Sequence, residues 1–225
     1  YQTTTMNTAN KYICIHGHFY QPPRENAWLE VVEMQDTAAP FHDWNARINF
    51  ECYAPNAVAR ILDTKGKIVR ITNNYGRISF NFGPTLLSWL EHADPATYRA
   101  ILEADEVSRV RFGGHGSAMA QVHSHIIMPL ANRRDKETQV RWGIADFEKR
   151  YGHTPSGMWL PEAAVNEETL EVLVDCGIRF TILAPWQAAQ DSVDITQPYW
   201  VELPNNKRIV VFFYQPELSA RISFD

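Results

Sequence analysis

Short β-rich runs alternate with helical patterns along nearly the whole chain, and almost every run ends in polar or aromatic residues. Tyr12-Ile13-Cys14-Ile15 is an apolar run ending in His16 and reads as a buried strand. Lys67 to Thr72 reads as a second strand, ending in Asn73-Asn74, and Val107 to Phe112 as a third, running into Gly113-Gly114-His115-Gly116. Ser156 to Leu160 precedes Pro161-Glu162, and Phe180 to Leu183 and Ile209 to Tyr214 are the clearest later strands. Helical patterns cover Pro55 to Asp63, Pro84 to His92, Pro95 to Asp105, Arg134 to Tyr151 and Glu167 to Cys176. Pro95 fits a first helical turn after an Asp94 cap, and Gly177 fits a helix stop. Such alternation predicts a parallel sheet with helical crossovers, either a barrel or an open doubly wound sheet.

The strand ends decide between the two. His16 and His18, Asn73 and Asn74, His115, Trp159 and Glu162, Trp186, and Tyr214 with Gln215 all follow predicted strands. A βα barrel collects functional groups at the carboxyl ends of all its strands, whereas an open sheet gathers them at one switch point, commonly with a phosphate loop. Gly113-Gly114-His115-Gly116 matches neither G-x-G-x-x-G nor G-x-x-x-x-G-K-[ST], which argues against a nucleotide. The expected class is therefore α/β, a barrel of parallel strands. The segment from Phe19 to about Phe50 reads as a long loop of the kind that often carries function.

Composition narrows the partners. A net charge of −5 argues against nucleic acid, since phosphate recognition needs a surplus of Lys and Arg, and leaves neutral sugars open. Seven Trp and nine Tyr provide faces able to stack on sugar rings, although most such residues serve a core. Cys14, Cys52 and Cys176 show no paired spacing, and Cys14 and Cys176 sit in apolar runs as reduced core residues. No stretch reaches the ~20 apolar residues of a membrane span. The polar start, Tyr1 to Asn10, has no signal-peptide pattern, so a flexible terminus and a cytoplasmic setting are expected. Residues 11–225 form the expected domain. The chain stops soon after its sixth apparent strand with no helix to follow, so the barrel is expected to be truncated, with exposed strand edges.

Three constellations can carry chemistry. In His16-Gly17-His18-Phe19-Tyr20-Gln21-Pro22-Pro23, the HxH spacing puts both imidazoles on one face, for a metal or for hydrogen bonds to a substrate. His115, His123 and His125 lie close in sequence, but no Asp lies near them, and Asp or Glu is the usual companion in a zinc hydrolase. His123 reads as structural, with His115 and His125 the stronger candidates. In Gly157-Met158-Trp159-Leu160-Pro161-Glu162, a carboxylate follows a strand behind Trp and Pro. Glycosidases use two carboxylates, and alone this Glu is more often a surface residue.

Together the three segments resemble glycoside hydrolase family 57. HGHFYQPP matches that family's first motif, His125 to Leu130 (HIIMPL) its second, and Trp159 with Glu162 its third. The phrases PFHDWNARINFECYAPN, SFNFGPTLLSWLEH and FTILAPWQA are similar to a subgroup of long proteins with further domains downstream. The resemblance runs from about Lys11 to Asp225. It implies a (β/α)7 barrel, a retaining mechanism, an α-glucan or maltooligosaccharide substrate and no obligatory metal or other cofactor. It further implies that Glu162 is the nucleophile, that His16, His18 and His125 contact substrate, and that Trp159 walls a sugar subsite. His115 joins the substrate-contacting candidates. The family's acid/base Asp lies in a fourth motif that has no match in this sequence. Asp94 and Asp146 fall in helical patterns and make poor substitutes, so negligible hydrolysis of unactivated α-glucan is expected of this chain alone. Hydrolysis, disproportionation and branching share the glycosyl-enzyme step and are not separated by these motifs.

Two rivals remain at this level. One is a metal-dependent carbohydrate deacetylase or amidohydrolase with zinc on His16, His18 and His125. The other is a non-catalytic glucan-binding module.

Overall fold

The computed structural model describes residues 12–190 and 192–224, so the polar segment Tyr1–Asn10 lies outside it. Its strands are β1 (His16–Phe19), β2 (Ala59–Leu62), β3 (Ile68–Thr72), β4 (Ser79–Phe82), β5 (Ala120–Gln121), β6 (Met158–Trp159), β7 (Phe180–Leu183), β8 (Tyr199–Leu203) and β9 (Lys207–Phe213). The helices are α1 (Trp44–Ile48), α2 (Ala54–Ala57), α3 (Pro84–Ala93), α4 (Pro95–Arg111), α5 (Arg133–Tyr151), α6 (Glu167–Asp175) and α7 (Pro216–Phe224). A π-helical turn over Asn49–Tyr53 joins α1 to α2.

Six strands share one direction. β1 pairs with β4 in parallel, setting His16 opposite Ser79 and His18 opposite Asn81. A parallel bridge between Phe80 and Ala118 leads from β4 to β5, and β5 pairs with β6. A second bridge, Gly157 to Phe180, leads to β7, which pairs with β9. The carboxyl ends of all six strands therefore lie at one end of an arc. Helices α3 to α6 occupy the crossovers that parallel pairing demands.

Local chemistry sets the helix limits. Asp94 caps α4 by accepting from the Thr97 N–H, Asn132 caps α5 through Asp135, and Asn166 caps α6 through Thr169. Gly152 and Gly177 end α5 and α6 with positive φ. Between helices and sheet lies one apolar core, in which Phe80, Leu86, Leu87, Leu90, Ile101, Met158, Leu160, Leu173 and Ile209 are almost wholly buried. Each such side chain contributes about 1.5–3 kcal/mol. Phe19, Tyr53, Tyr75, Phe80 and Phe82 pack edge to face beneath β1 and β4.

The structure corrects several expectations. Val107 to Phe112 is not a strand. Ile101, Ala104, Asp105 and Ser108 bury one helical face, α4 continues to Arg111, and Val107 and Val110 point outward. The helix expected over Pro55 to Asp63 stops at Ala57, and the following residues form β2. Lys67 to Thr72 does contain a strand, but β3 pairs antiparallel with β2 in a hairpin outside the arc. The arc's second strand is β4, which the pattern reading passed over. Tyr12 to Ile15 precede β1 and are exposed, Cys14 included, while Cys176 is half-buried. β9 is followed by a helix, α7, rather than by none.

The expected barrel is an open arc among the described residues. β9 is flanked by β7 on one side and by antiparallel β8 on the other. β8 thus covers the edge expected to lie exposed, in the position where a further parallel neighbour of β9 would sit. The β8–β9 connection carries Asn205 and Asn206 at φ 60° and 58°, the left-handed pair that a tight hairpin turn requires.

Candidate active site

Alternation along β1 sends His16 and His18 to the same face, and β4 sends Asn81 between them. Asn81 is fully buried and makes three side-chain contacts. Its Oδ1 accepts from His16 Nε2 at 3.0 Å, while its Nδ2 donates to His18 Nδ1 at 3.0 Å and to Gln121 Oε1 at 2.6 Å. With Nε2 donating, His16 Nδ1 accepts from the Ser79 hydroxyl at 3.0 Å. Three neighbouring strands are thereby tied by one polar network inside the arc.

Above this network the rings lie nearly parallel. Trp159 stacks on His16 and His18, with centroids at 5.3 and 4.8 Å and planes within 20°. His18 faces His125 at 5.7 Å, and His125 stacks on Tyr20 at 3.7 Å. Burial lowers the His16 pKa to about 4, against a smaller upward pull from Asn81. His18 keeps a solvent-facing edge, yet loss of water around its ring likewise brings it to about 4. Burial also lowers His125, opposed by the negative charge of Glu162. All three imidazoles are therefore neutral at neutral pH and can each donate and accept a hydrogen bond.

Glu162 follows β6 at the same end and is solvent-exposed. Its φ and ψ are 56° and 17°, and Ala163 and His125 also have positive φ, 51° and 53°. For L residues this conformation costs about 1–2 kcal/mol each, and such strain concentrates at functional sites. The turn aims a carboxylate over the end of the sheet, where its charge reaches both His125 and Tyr20. Two hydrogen-bonding atoms in this ring cluster, Trp159 Nε1 and His125 Nε2, are buried and without partners, as is Gln121 Nε2 in the network below.

Five of the six candidates thus come together: His16, His18, His125, Trp159 and Glu162. His115 does not. It precedes β5, so it lies at the amino-terminal end of the strands, opposite Glu162. Its GGHG segment follows a helix, not a strand. Tyr20, Asn81 and Gln121 were missed. Tyr20 stood unassigned within HGHFYQPP, and Asn81 is the one polar side chain in the apolar Phe80-Asn81-Phe82 of a strand not recognised as one.

Neither alternative acid is free for chemistry. Asp94 accepts from Thr97 and from Asn49 Nδ2, and Asp146 pairs with Arg150 at 2.9 Å. Among the described residues no group of three or more His, Cys, Asp or Glu is arranged to hold a metal ion. The stack explains why. Imidazole lone pairs lie in the ring plane, so nearly parallel rings direct them along separate planes rather than onto one tetrahedral centre.

Residues 23–225 match the family model described as Glycosyl hydrolase family 57. Over 106 residues the chain is 24% identical to Alpha-amylase 1 of Dictyoglomus thermophilum, an overlap covering 47% of this chain and 15% of that protein. Two solved structures share the fold. The 4-alpha-glucanotransferase from Thermococcus litoralis aligns with a TM-score of 0.62 at 16% identity, covering 94% of this chain and 29% of that one. An exo-type maltose-forming amylase from Pyrococcus sp. ST04 aligns with a TM-score of 0.65 at 17% identity, covering 94% and 36%. The chain therefore spans well under half the length of each of these proteins. No helix among the described residues is long and apolar enough to cross a membrane.

Proposed function

The chain belongs to glycosyl hydrolase family 57, and from that premise we propose that it carries the nucleophile half of a retaining site for α-glucans, with Glu162 as the attacking carboxylate. The observation that carries this reading is the strained turn holding Glu162 at the carboxyl end of β6, beside the parallel rings of Trp159, His18 and His125. Trp159 offers a face to a pyranose ring. His18 and His125, neutral at working pH, exchange hydrogen bonds with sugar hydroxyls, and His16 holds the network beneath them.

In the first step Glu162 attacks the anomeric carbon while an acid protonates the departing oxygen. Release to water gives hydrolysis, and release to another sugar hydroxyl gives transfer. A retaining pair stands roughly 5–5.5 Å apart. Asp94 and Asp146 are committed to a helix cap and an ion pair, so neither is assigned as that acid. A leaving group that departs without protonation reports on the nucleophile alone.

A 5-fluoro-α-glucosyl fluoride carries such a group, because fluoride needs little acid assistance and the ring fluorine slows release. Incubation should add one fluoroglucosyl group to the peptide containing Glu162, read by mass spectrometry after proteolysis. Glu162→Gln, with its fold checked by circular dichroism, should take up none. Labelling at another carboxylate, or equal labelling of the Gln variant, would refute the assignment.

A further inference from the structure

A second cavity, of about 480 Å³, opens at the amino-terminal ends of β4 to β7, away from Glu162. None of its lining residues is acidic, and four are Arg or His: Arg109, Arg179, His115 and His153. The nearby carboxylate, Asp105, stands behind them and is already satisfied. It accepts from His153 Nε2 at 2.7 Å and from the Ala118 N–H at 2.8 Å. Arg109 Nε is buried and has no hydrogen-bond partner among the described residues. A buried, charged donor left unmet is costly, and an anion would satisfy it.

The loop shape has its own cause. Gly113 and Gly114 have φ of 64° and 95°, and a Cβ on Gly116 would fall 2.0 Å from Asp105 Oδ1. Only glycines let this turn close over the buried carboxylate while His115 stands at the rim. The N–H groups of Gly114, His115 and Ser117 are spent on Arg109 O, Phe112 O and Ser108 Oγ, so recognition falls mainly to side chains.

We propose that this cavity binds a phosphate-class oxyanion, either free phosphate or the phosphate of a small polar metabolite. Guanidinium forks match the oxygens of such a group, and two of them in a concavity without carboxylates create a positive potential that a neutral sugar does not use. The volume falls within the range of sites for small organic ligands, which leaves room for a body beyond the phosphate. Ser79 lines the cavity and also donates to His16, so the two ends of the arc share one hydroxyl.

The test titrates the chain, in phosphate-free buffer at low salt, with inorganic phosphate and separately with glucose 6-phosphate, followed by calorimetry. Saturable one-to-one binding is expected. Arg109→Gln and Arg179→Gln should each weaken it at least about tenfold, the scale of one charge-assisted hydrogen bond. Arg179 is exposed, so its variant keeps the fold even if Arg109→Gln does not. Tighter binding of the sugar phosphate identifies a phosphorylated metabolite as the source, and equal binding identifies free phosphate. Glu162→Gln should bind as well as the parent, which separates this inference from the fate of the glycosidase reading. Absence of saturable binding for both probes, or undiminished binding by Arg179→Gln, would overturn it.

Discussion

His16 Nε2 donates to the Oδ1 of Asn81 across 3.0 Å, joining the first strand of the arc to its neighbour within a buried network. The bond fixes the tautomer of His16, which leaves its Nδ1 as the acceptor for Ser79. It also places Asn81 Nδ2 to serve His18 and Gln121 together. One amide thereby orients both imidazoles that underlie the proposed sugar site.

Replacing Asn81 with Leu keeps a similar volume and removes the bonds to His16 Nε2, His18 and Gln121. His16 Nε2 and Gln121 Oε1 are left buried without partners, at about 1–3 kcal/mol apiece. Urea denaturation of Asn81→Leu should show a lower midpoint by a corresponding amount, with labelling of Glu162 slowed because His18 is no longer held. A variant as stable as the parent would mean that the network is not strained by its loss.

The depressed histidines give stability a pH dependence of defined sign. An unfolded His16 or His18 takes up a proton near 6.5, whereas the folded ones do so near 4. Between these values the unfolded state holds more protons, so stability falls as pH is lowered through that window and is indifferent to these groups above it. The groups facing them are Ser79, Asn81, Trp159, His125 and Tyr20. Urea midpoints measured from about pH 7.5 to about pH 4.5 should decline mainly below about 6.5. His16→Gln should flatten part of that decline, and a parent profile already flat across the window contradicts the neutral assignment.

Gly143 lies on α5 where a Cβ would meet Gln121 O at 2.1 Å. The helix backbone therefore touches the β5 backbone directly. Gly143→Ala must push the two apart, at about 1–3 kcal/mol for an overpacked contact. Because Gln121 and the turn to His125 move with β5, both thermal stability and labelling of Glu162 should drop. Loss of stability with undisturbed labelling would locate the strain away from β5.

Ala163, next to the proposed nucleophile, is held at φ 51° without offering a side chain to the site. Ala163→Gly removes about 1–2 kcal/mol of left-handed strain and adds up to about 1 kcal/mol of unfolded-state entropy. A net gain of up to about 1 kcal/mol in unfolding free energy is expected, with slower labelling as the turn loosens. A destabilised variant would show that the φ of Ala163 is not strained.

Much of the candidate site was legible because its residues sit in short local motifs. HGHFYQPP, HIIMPL and the Trp159–Glu162 pair each place chemistry within a few residues of a strand end, and the structure gathers all three. Helices were read well where caps are explicit, as at Asp94 and Gly177. The failures share a cause. β-branched Val107 and Val110 suggested a strand, but what settles α4 is the face it buries through Ile101, Ala104 and Ser108. β4 and β5 are only four and two residues long, too short for a periodicity to register. Without β4, Asn81 had no position, and without the direction of β5 nothing distinguished His115, at the foot of the strands, from His125 at their head.

The hairpin on the outer edge of the arc bears on the order in which the molecule assembles. β8 and β9 are neighbours in sequence, and such hairpins close in about 1–10 μs. The His16–Ser79 contact spans 63 residues, so it carries a larger loop-closure entropy and forms more slowly. By this measure β1 docks later than the hairpin closes, and it brings both His16 and His18. The ring stack beside Glu162 therefore assembles only once β1 has docked against β4.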